Sequence, residues 1–596
     1  MANIVPNSDE KVYQLHKFLG LNQSPDGDTQ LKMGEAAVQM NWMTTREGHL
    51  KVRNGYKTVK RYSRPVRGLW SGYVAGVRKT VCCADGGVWE LRKGESPRRL
   101  GDIEDRPTTM FGFANKVYFL NGIEYLVWDG SGYIETVAGY IPLVVSASKP
   151  EGGGTTIENV NRLTGSRRVK FSADGKATEY HLPEKPIRSV DKVEVDGKEP
   201  ATEWTVDRVS GTVKFTTPPE TGTNNVQIWY TVINNRRPEV ESMRFAEQFN
   251  GASDTRIFLY GDGTATAIYS GVTEQGEGSA EYFPDLYEIR IGSGNAPLTG
   301  MIKNYSRLMS YKADGGAYST EYGVKSLDDK SIIPVFKTTS VHKEIGNSAP
   351  GQVRLVKNVP RTMYGGNLYD WVYANPFSRD ERNVKLSSEK VQATMHEADP
   401  EKVFAFDDDR NQEYYLFLND EKGTCIVQNY QADCWYLYDN LPVTCACRVD
   451  DYLLFGFSDG RLVRFSRESY NDDGEPINAI FATGNMSFDR DYKRKHSSLI
   501  WLSMQPTAFA NLKMTAQTDR RNDYLDKEAQ NSVFSFASAD FSNWSFSLND
   551  APQMERLKLK VKKFAYYKLI LKSNYAASDA TVLGVDFRVR YTGYVK

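Results

Sequence analysis

An all-β protein built round a β-propeller of about seven blades is what this sequence predicts, and three observations carry the prediction. Short apolar or aromatic runs recur, each followed by a tight Gly-containing turn and a second run. Long amphipathic helical patterns are nearly absent. Aromatic residues make up 12% of the chain, led by 35 Tyr, beside 48 Gly. Tyr suits pleated, half-buried strands, and Gly supplies the positive φ of tight turns.

The recurring unit is the hairpin signature. It is clearest in VCCADGGVWEL (81–91), VYFLNGIEYLVWDG (117–130), IFLYGDGTATAIYSG (257–271), LMSYKADGGAYSTEYG (308–323) and YLLFGFSDGRLVRF (452–465). NLYDWVYANP (367–376) and the stretch 403–439 add two more candidates. A repeated four-stranded unit that cannot bury both faces alone implies a propeller. Its first part is expected in 60–145 and its remainder in 235–483.

The spacing of these units is interrupted. Segment 146–234 opens with SASKPEGGG, a loop by composition. It continues with alternating strands: Val190, Val193 and Val195; Trp204 and Val206; Val213 and Phe215; Val226, Ile228 and Tyr230. Turns at Asp196-Gly197, Ser210-Gly211 and Thr221-Gly222 separate them. Five or six strands there predict a small inserted β-sandwich. Segment 484–596 carries a further set, including Leu557, Leu559 and Val561 alternating with Lys, and Val585, Phe587, Val589 and Tyr591 alternating with Asp586, Arg588 and Arg590. Those alternations predict a C-terminal β-sandwich or jelly roll. Residues 1–59 are left as an arm, with a strand near Leu50–Val59 closing the propeller and 17–43 near a subunit interface.

The chain's 596 residues exceed the roughly 250–300 at which single cores stop growing, so several domains are expected. Basic and acidic residues balance at 75 each, which gives no global attraction to nucleic acid or anionic lipid. Residues 1–15 lack the apolar core of an export signal, and no run approaches a membrane span. Six cysteines are too few for a disulfide scaffold of this size, and synthesis in a reducing cytosol is expected.

Candidate chemistry is weak throughout. Cys425, Cys434, Cys445 and Cys447 include no C-x₂-C pair and no neighbouring His, so buried thiols explain them better than zinc. Asp407, Asp409 and Asn411 imitate a calcium loop, but Gln412 and Leu418 stand where Gly and a bidentate Glu are needed. The six histidines (His16, His49, His181, His342, His396 and His496) are scattered. No nucleophile elbow or phosphate loop occurs. Ser458-Asp459-Gly460 and Asp85-Gly86-Gly87-Val88-Trp89 only echo a sialidase-type box. Lys558, Lys560, Lys562, Lys563, Lys568 and Lys572 could follow a phosphate backbone, but a solvated strand face is the simpler reading. No catalytic, cofactor-binding or metal-binding residue is therefore assigned, and no cofactor is expected.

The N-terminal region carries a resemblance. Gly20-Leu21-Asn22-Gln23-Ser24-Pro25-Asp26 is followed by Asn41 in a short apolar stretch, then by Gly48-His49-Leu50-Lys51-Val52-Arg53-Asn54-Gly55-Tyr56. With QFNGASDTRIFLYGD (248–262), QNYQADCWYLYD (428–439) and the V-x-V-D-G … T-V-D-x-x-x-G-x-V-x-F-x-x-x-P string (193–218), this resembles the tail hub and nozzle (tail tubular) β-propeller proteins of short-tailed double-stranded DNA bacteriophages. The resemblance implies a virion structural protein without enzymatic activity. It implies a ring, expected as a homohexamer, that extends the DNA channel below the portal and adaptor proteins. Such a ring would retain the genome, support tail fibres or a tail needle, and pass DNA without sequence-specific contact. The protein would be made in the host bacterial cytoplasm and reside in the virion tail, with no membrane span. Two rivals stand beside it: a virion-associated propeller glycosidase or depolymerase, and a receptor- or carbohydrate-binding module at the tail tip.

Overall fold

Turn chemistry sets the hairpins. Asp85 and Gly86 both take positive φ (53° and 66°) between strands Val77–Ala84 and Gly87–Glu90. Gly365 and Gly366 do the same between Val359–Tyr364 and Asn367–Tyr373. Two consecutive positive-φ residues twist a two-residue loop in the sense the flanking strands require.

The computed structural model describes residues 9–25, 27–326, 332–373, 382–505, 510–521, 526–531, 552–576 and 580–595. Among them the fold is all-β, with many small antiparallel sheets and two short α-helices, Arg237–Glu241 and Gln392–Met395. The chain divides into two compact units. One comprises 1–69, 354–373 and 383–596; the other comprises 70–353 and 374–382.

The seven hairpin segments each fall in a different four-stranded antiparallel array. Four arrays lie in the unit centred on 70–353. The first runs from Gly68–Val74 to Arg98–Asp102 and the second from Thr109–Phe113 to Glu135–Thr136. The third runs from Phe245–Gln248 to Glu288–Arg290 and the fourth from Leu298–Asn304 to Ile332–His342. Successive arrays pack face to face. Val117 and Phe119 meet Val81 and Val88 of the first array, whereas Tyr118 and Leu120 on the opposite face meet Ile257 and Leu259 of the third. Phe258, between those two, points the other way toward Met301 and Leu308 of the fourth. Strands buried on both faces have no polar side, which is why the sequence reads VYFL and IFLY without alternation.

The other unit holds the remaining three arrays. The fifth runs from Arg354–Val356 to Arg382–Leu386, and the sixth from Phe404–Asp408 to Cys434–Tyr438. The seventh orders Val443–Val449, Tyr452–Phe457 and Arg461–Phe465, and its fourth strand is Tyr56–Arg61 from the far N-terminal side. The sixth and seventh share a core containing Tyr415, Phe417, Val427, Phe455 and Phe465. The sixth array also continues through a single bridge, Met40 to Leu437, into a ten-stranded sheet.

Between the second and third arrays, a five-stranded and a three-stranded sheet enclose a core of their own, with Val169, Phe171, Tyr180, Phe215 and Ile228 at its centre. Eight strands stand there where five or six are expected. Ser166–Phe171 (SRRVKF) and Glu179–His181 are among those the alternation misses. The chain also returns midway. Asn161 bridges to Pro284, and Leu163 packs with Val240 and Phe283 in the core between the second and third arrays.

The C-terminal strands form a two-sheet core with N-terminal partners. Glu35–Met40 pairs with Ala479–Thr483, and Glu10–Leu15 pairs with Thr581–Tyr594. Phe18, Ala36, Trp42, Leu50 and Val52 are buried among Phe481, Ile500, Leu571 and Phe587. Of segment 17–43, expected near an interface between subunits, Phe18, Ala36 and Trp42 lie in the core of their own chain, while Met33 and Val38 are exposed. Leu50–Val52 pairs with Trp42–Thr44 and Thr581–Val582 here, so only Tyr56–Arg61 of the expected closing segment joins the seventh array. The run Lys558–Lys560 separates two strands, Gln553–Leu557 and Val561–Phe564, where one continuous strand is expected; Leu557, Leu559 and Val561 still alternate inward against exposed lysines. Among the described residues no helix is long and apolar enough to cross a membrane.

Candidate functional site: a buried arginine junction

The residues that carry the N-terminal motif meet at one polar node. Arg53 follows strand Leu50–Val52 and is 2% exposed. Its Nη1 and Nη2 donate to the two carboxylate oxygens of Asp472 at 3.0 and 2.6 Å. Nε donates to Asn41 Oδ1 at 2.9 Å, and the backbone carbonyls of Asn54 and Asp439 accept at 2.9 and 3.2 Å. A planar five-donor fork matches this set as no other side chain can. Burial works against the charge, but the Asp472 carboxylate more than offsets it and holds the guanidinium charged.

The partners are themselves fixed. Asn41 takes a positive φ of 58°, a conformation Asn tolerates better than most residues. Its Nδ2 donates to Asp439 Oδ1 (2.6 Å) and to the Asn478 carbonyl (2.8 Å), and its Oδ1 also accepts the Asp439 N–H. Asn440 Nδ2 donates to Asp472 Oδ2 at 2.9 Å and to the Tyr56 hydroxyl at 3.0 Å. Gly55 permits the crossing, because a Cβ there would sit 2.0 Å from the Asn471 carbonyl oxygen. Gly20, with φ of 87°, lies against Cys434 and Trp435 in the same way. One node therefore ties the N-terminal arm, the sixth and seventh arrays and the C-terminal core. Its hydrogen-bonding groups are engaged with each other, so the node joins these elements.

The other singled-out residues are dispersed. All six cysteines are buried free thiols, and burial pushes Cys434 and Cys445 up to about 12, far from the reactive thiolate. Among the described residues no group of three or more His, Cys, Asp or Glu could hold a metal ion. Asp407 to Glu413 form a hairpin end between Phe404–Asp408 and Glu413–Phe417. There Asp408 pairs with Arg448, and burial raises Asp407 to about 7. His16 bonds Asp586 at 2.7 Å and His181 bonds Thr212 at 3.0 Å. Lys558, Lys560, Lys562, Lys563 and Lys572 are exposed, and Lys568 pairs with Asp28. Asp26 of the first motif lies outside the described residues. Asp472 was not signalled by the sequence: it sits in NDDGE, a turn by composition, 419 positions from its partner.

No family model and no curated protein matches the chain. Among solved structures, a computationally designed protein, Ika8, aligns with a TM-score of 0.31 at 12% identity, covering 69% of this chain and 99% of that one. A chain of a mitotic checkpoint complex aligns at 0.29 and 10% identity, over 78% and 96%. At these TM-scores neither neighbour defines a family for this protein.

Proposed function

We propose that the seven arrays close into one β-propeller and that the protein is a non-enzymatic tail hub or nozzle component of a short-tailed double-stranded DNA phage. In this reading it forms a ring, a homohexamer, below the portal and adaptor proteins. The ring extends the DNA channel, retains the genome and carries fibres or a needle. It is made in the host cytoplasm and resides in the virion tail.

The observation that carries the proposal is the use to which the fold puts the motif. Asn41, Arg53, Gly55 and Tyr56, which bear the resemblance, form a buried junction between the N-terminal arm, the array completed by Tyr56–Arg61 and the C-terminal core. A final array finished by a strand from the opposite end of the chain is how a ring of blades suppresses open edges. The balanced charge fits a conduit, since counterion-releasing contacts would make duplex DNA stick.

Negative-stain imaging of the purified full chain tests the reading. Six-fold rings with an open centre are expected. Monodisperse monomers at high protein concentration, with or without salt, would overturn it.

A further inference from the structure

A pocket of about 390 Å³ opens in the unit that holds the sixth and seventh arrays. Its volume lies within the range of small-molecule sites. Buried residues Glu413, Tyr415, Asn429, Leu453, Phe465 and Ser466 line its interior. Arg46 and Glu47, from the turn between Trp42–Thr44 and Leu50–Val52, stand exposed at its rim with Gln431, Asp451 and Arg467.

The interior offers fixed, unspent hydrogen-bonding capacity. Asn429 is 6% exposed, and its Oδ1 accepts the N–H groups of Gln431 (3.1 Å) and Ala432 (3.0 Å). That pair fixes the amide plane and leaves Nδ2 a donor with no acceptor among the described residues. Ser466 is 8% exposed, and its Oγ has no partner among the described residues. Glu413 lies across from Asn429 in the strand register. Its carboxylate is held by the Tyr415 hydroxyl and by the Tyr436 hydroxyl at 2.9 Å, and each oxygen keeps a further lone pair. Burial raises its pKa above that of an ordinary carboxyl, against the two tyrosine hydroxyls, which lower it. Aromatic walls come from Tyr415, Tyr452 and Phe465. Around the opening, Arg46, Lys51 and Arg467 are interspersed with Glu47 and Asp451, so neither sign dominates.

Ligands differ in what they demand of such a lining. A phosphate or carboxylate needs a concentrated positive field, and an organic cation needs a negative one or an aromatic cage. A neutral polyhydroxylated ring needs fixed amide, hydroxyl and carboxyl partners plus an aromatic wall for its C–H face. We propose that this pocket binds a neutral saccharide of one or two rings, with Asn429, Ser466 and Glu413 reading its hydroxyls. The assignment rests on one unit's geometry and does not depend on ring assembly.

The test is titration of the full chain with maltose, lactose and N,N′-diacetylchitobiose, each alone, followed by calorimetry and saturation-transfer NMR. Asn429→Asp keeps the Oδ1 turn contacts and replaces the donor, and Ser466→Ala removes the hydroxyl. At least one sugar is expected to saturate a single site per chain. Each variant that melts like the parent should bind it at least about fivefold more weakly, the scale of one lost hydrogen bond. If Asn429→Asp fails to fold, Ser466→Ala decides alone. No binding of any of the three sugars up to on the order of 10 mM, a very weak limit, overturns the proposal. So does binding that Ser466→Ala leaves unchanged, or a pocket that takes inorganic phosphate in preference to every sugar.

Discussion

Arg53 shows what a single side chain contributes when its charge is buried with a partner. The Arg53–Asp472 pair is almost completely removed from water. Removing one member leaves the other charge stranded, a loss of about 3–5 kcal/mol, whereas replacing both by apolar groups is often close to neutral. Arg53→Met and Asp472→Leu should therefore each lower the denaturation midpoint strongly, and the double variant should recover much of the loss. A double-mutant cycle measures the coupling, and additive losses would show that the pair does not act as a unit. Arg53→Lys should not rescue, because an ammonium cannot span both carboxylate oxygens, Asn41 and two carbonyls at once. Asp407 is the opposite case. Its carboxyl is raised to about 7, chiefly by burial and then by Asp409. A carboxyl with a raised folded pKa binds a proton more tightly in the folded state. Its contribution is thus fully present below its ordinary pKa near 4 and is lost as pH rises through about 7. Asp407→Asn should raise the melting temperature at pH 8 and leave it nearly unchanged at pH 4. Equal shifts at both pH values would show that packing, not titration, governs the site.

Strands and hairpins divide into those set by their neighbours in sequence and those set by distant partners. Glu35–Met40 and Leu50–Val52 belong to the second kind, since their pairing partners include residues beyond position 430, and Gly20–Leu21 and Trp42–Thr44 pair with these two strands in turn. Phe18 is 1% exposed and stacks edge-on against Phe481 at 5.3 Å; Trp42 is fully buried. Removing residues 1–45 should accordingly unfold the C-terminal core rather than release a folded monomer, and near-UV circular dichroism of the truncated chain should be lost. Phe18→Ala should cost about 3–5 kcal/mol, the usual range for a buried aromatic. A truncated chain with native near-UV signal would place those strands outside the core. The same division explains what could be read in advance. VCCADGGVWEL, IFLYGDGTATAIYSG and YLLFGFSDGRLVRF announce their hairpins because turn and strands lie within fifteen residues and the turn demands positive φ at Gly86, Gly261 and Gly460. The pairing of Glu35–Met40 with Ala479–Thr483 has no local signature, nor has the choice of Asp472 as the partner of Arg53. Arg53 itself was visible as part of a motif, but nothing in nine residues says that its guanidinium is buried. The break at Lys558–Lys560 was hidden for another reason: the apolar alternation persists through it, so periodicity alone cannot reveal that strand pairing lapses.

The whole chain is assembled by excursions, and the excursion between the second and third arrays decides how much of it can be removed. Segment 166–231 leaves and returns at one point: Gly165 C=O accepts the Val232 N–H at 3.0 Å, and a Cβ on Gly165 would lie 2.1 Å from the Val232 oxygen. The segment before it is a different matter. Arg162 is 1% exposed, donates through Nη2 to the Asp285 carbonyl and to Glu288 at 2.7 Å each, and its own N–H bonds the Phe283 carbonyl at 2.9 Å. Leu163 fills the core between the second and third arrays, and Asn161 Nδ2 bridges the carbonyls of Tyr140 and Glu281. These residues are part of the wall between two arrays although they lie between those arrays in sequence, just before the segment that leaves and returns. Excising 166–231 and joining Gly165 to Val232 should therefore leave the remaining arrays folded, because most of the removed residues' apolar contacts are with each other. Excising 150–232 should not, because it deletes Arg162 and Leu163 and strands Glu288 without its buried partner. The two deletions differ by the short stretches that hold this wall, and thermal melting separates them: a cooperative transition near the parent's for the first, a broad or much lowered one for the second. If the larger deletion melts like the parent, Arg162 and Leu163 merely cover the arrays. If the smaller one collapses, the excursion is an integral part of the molecule's core.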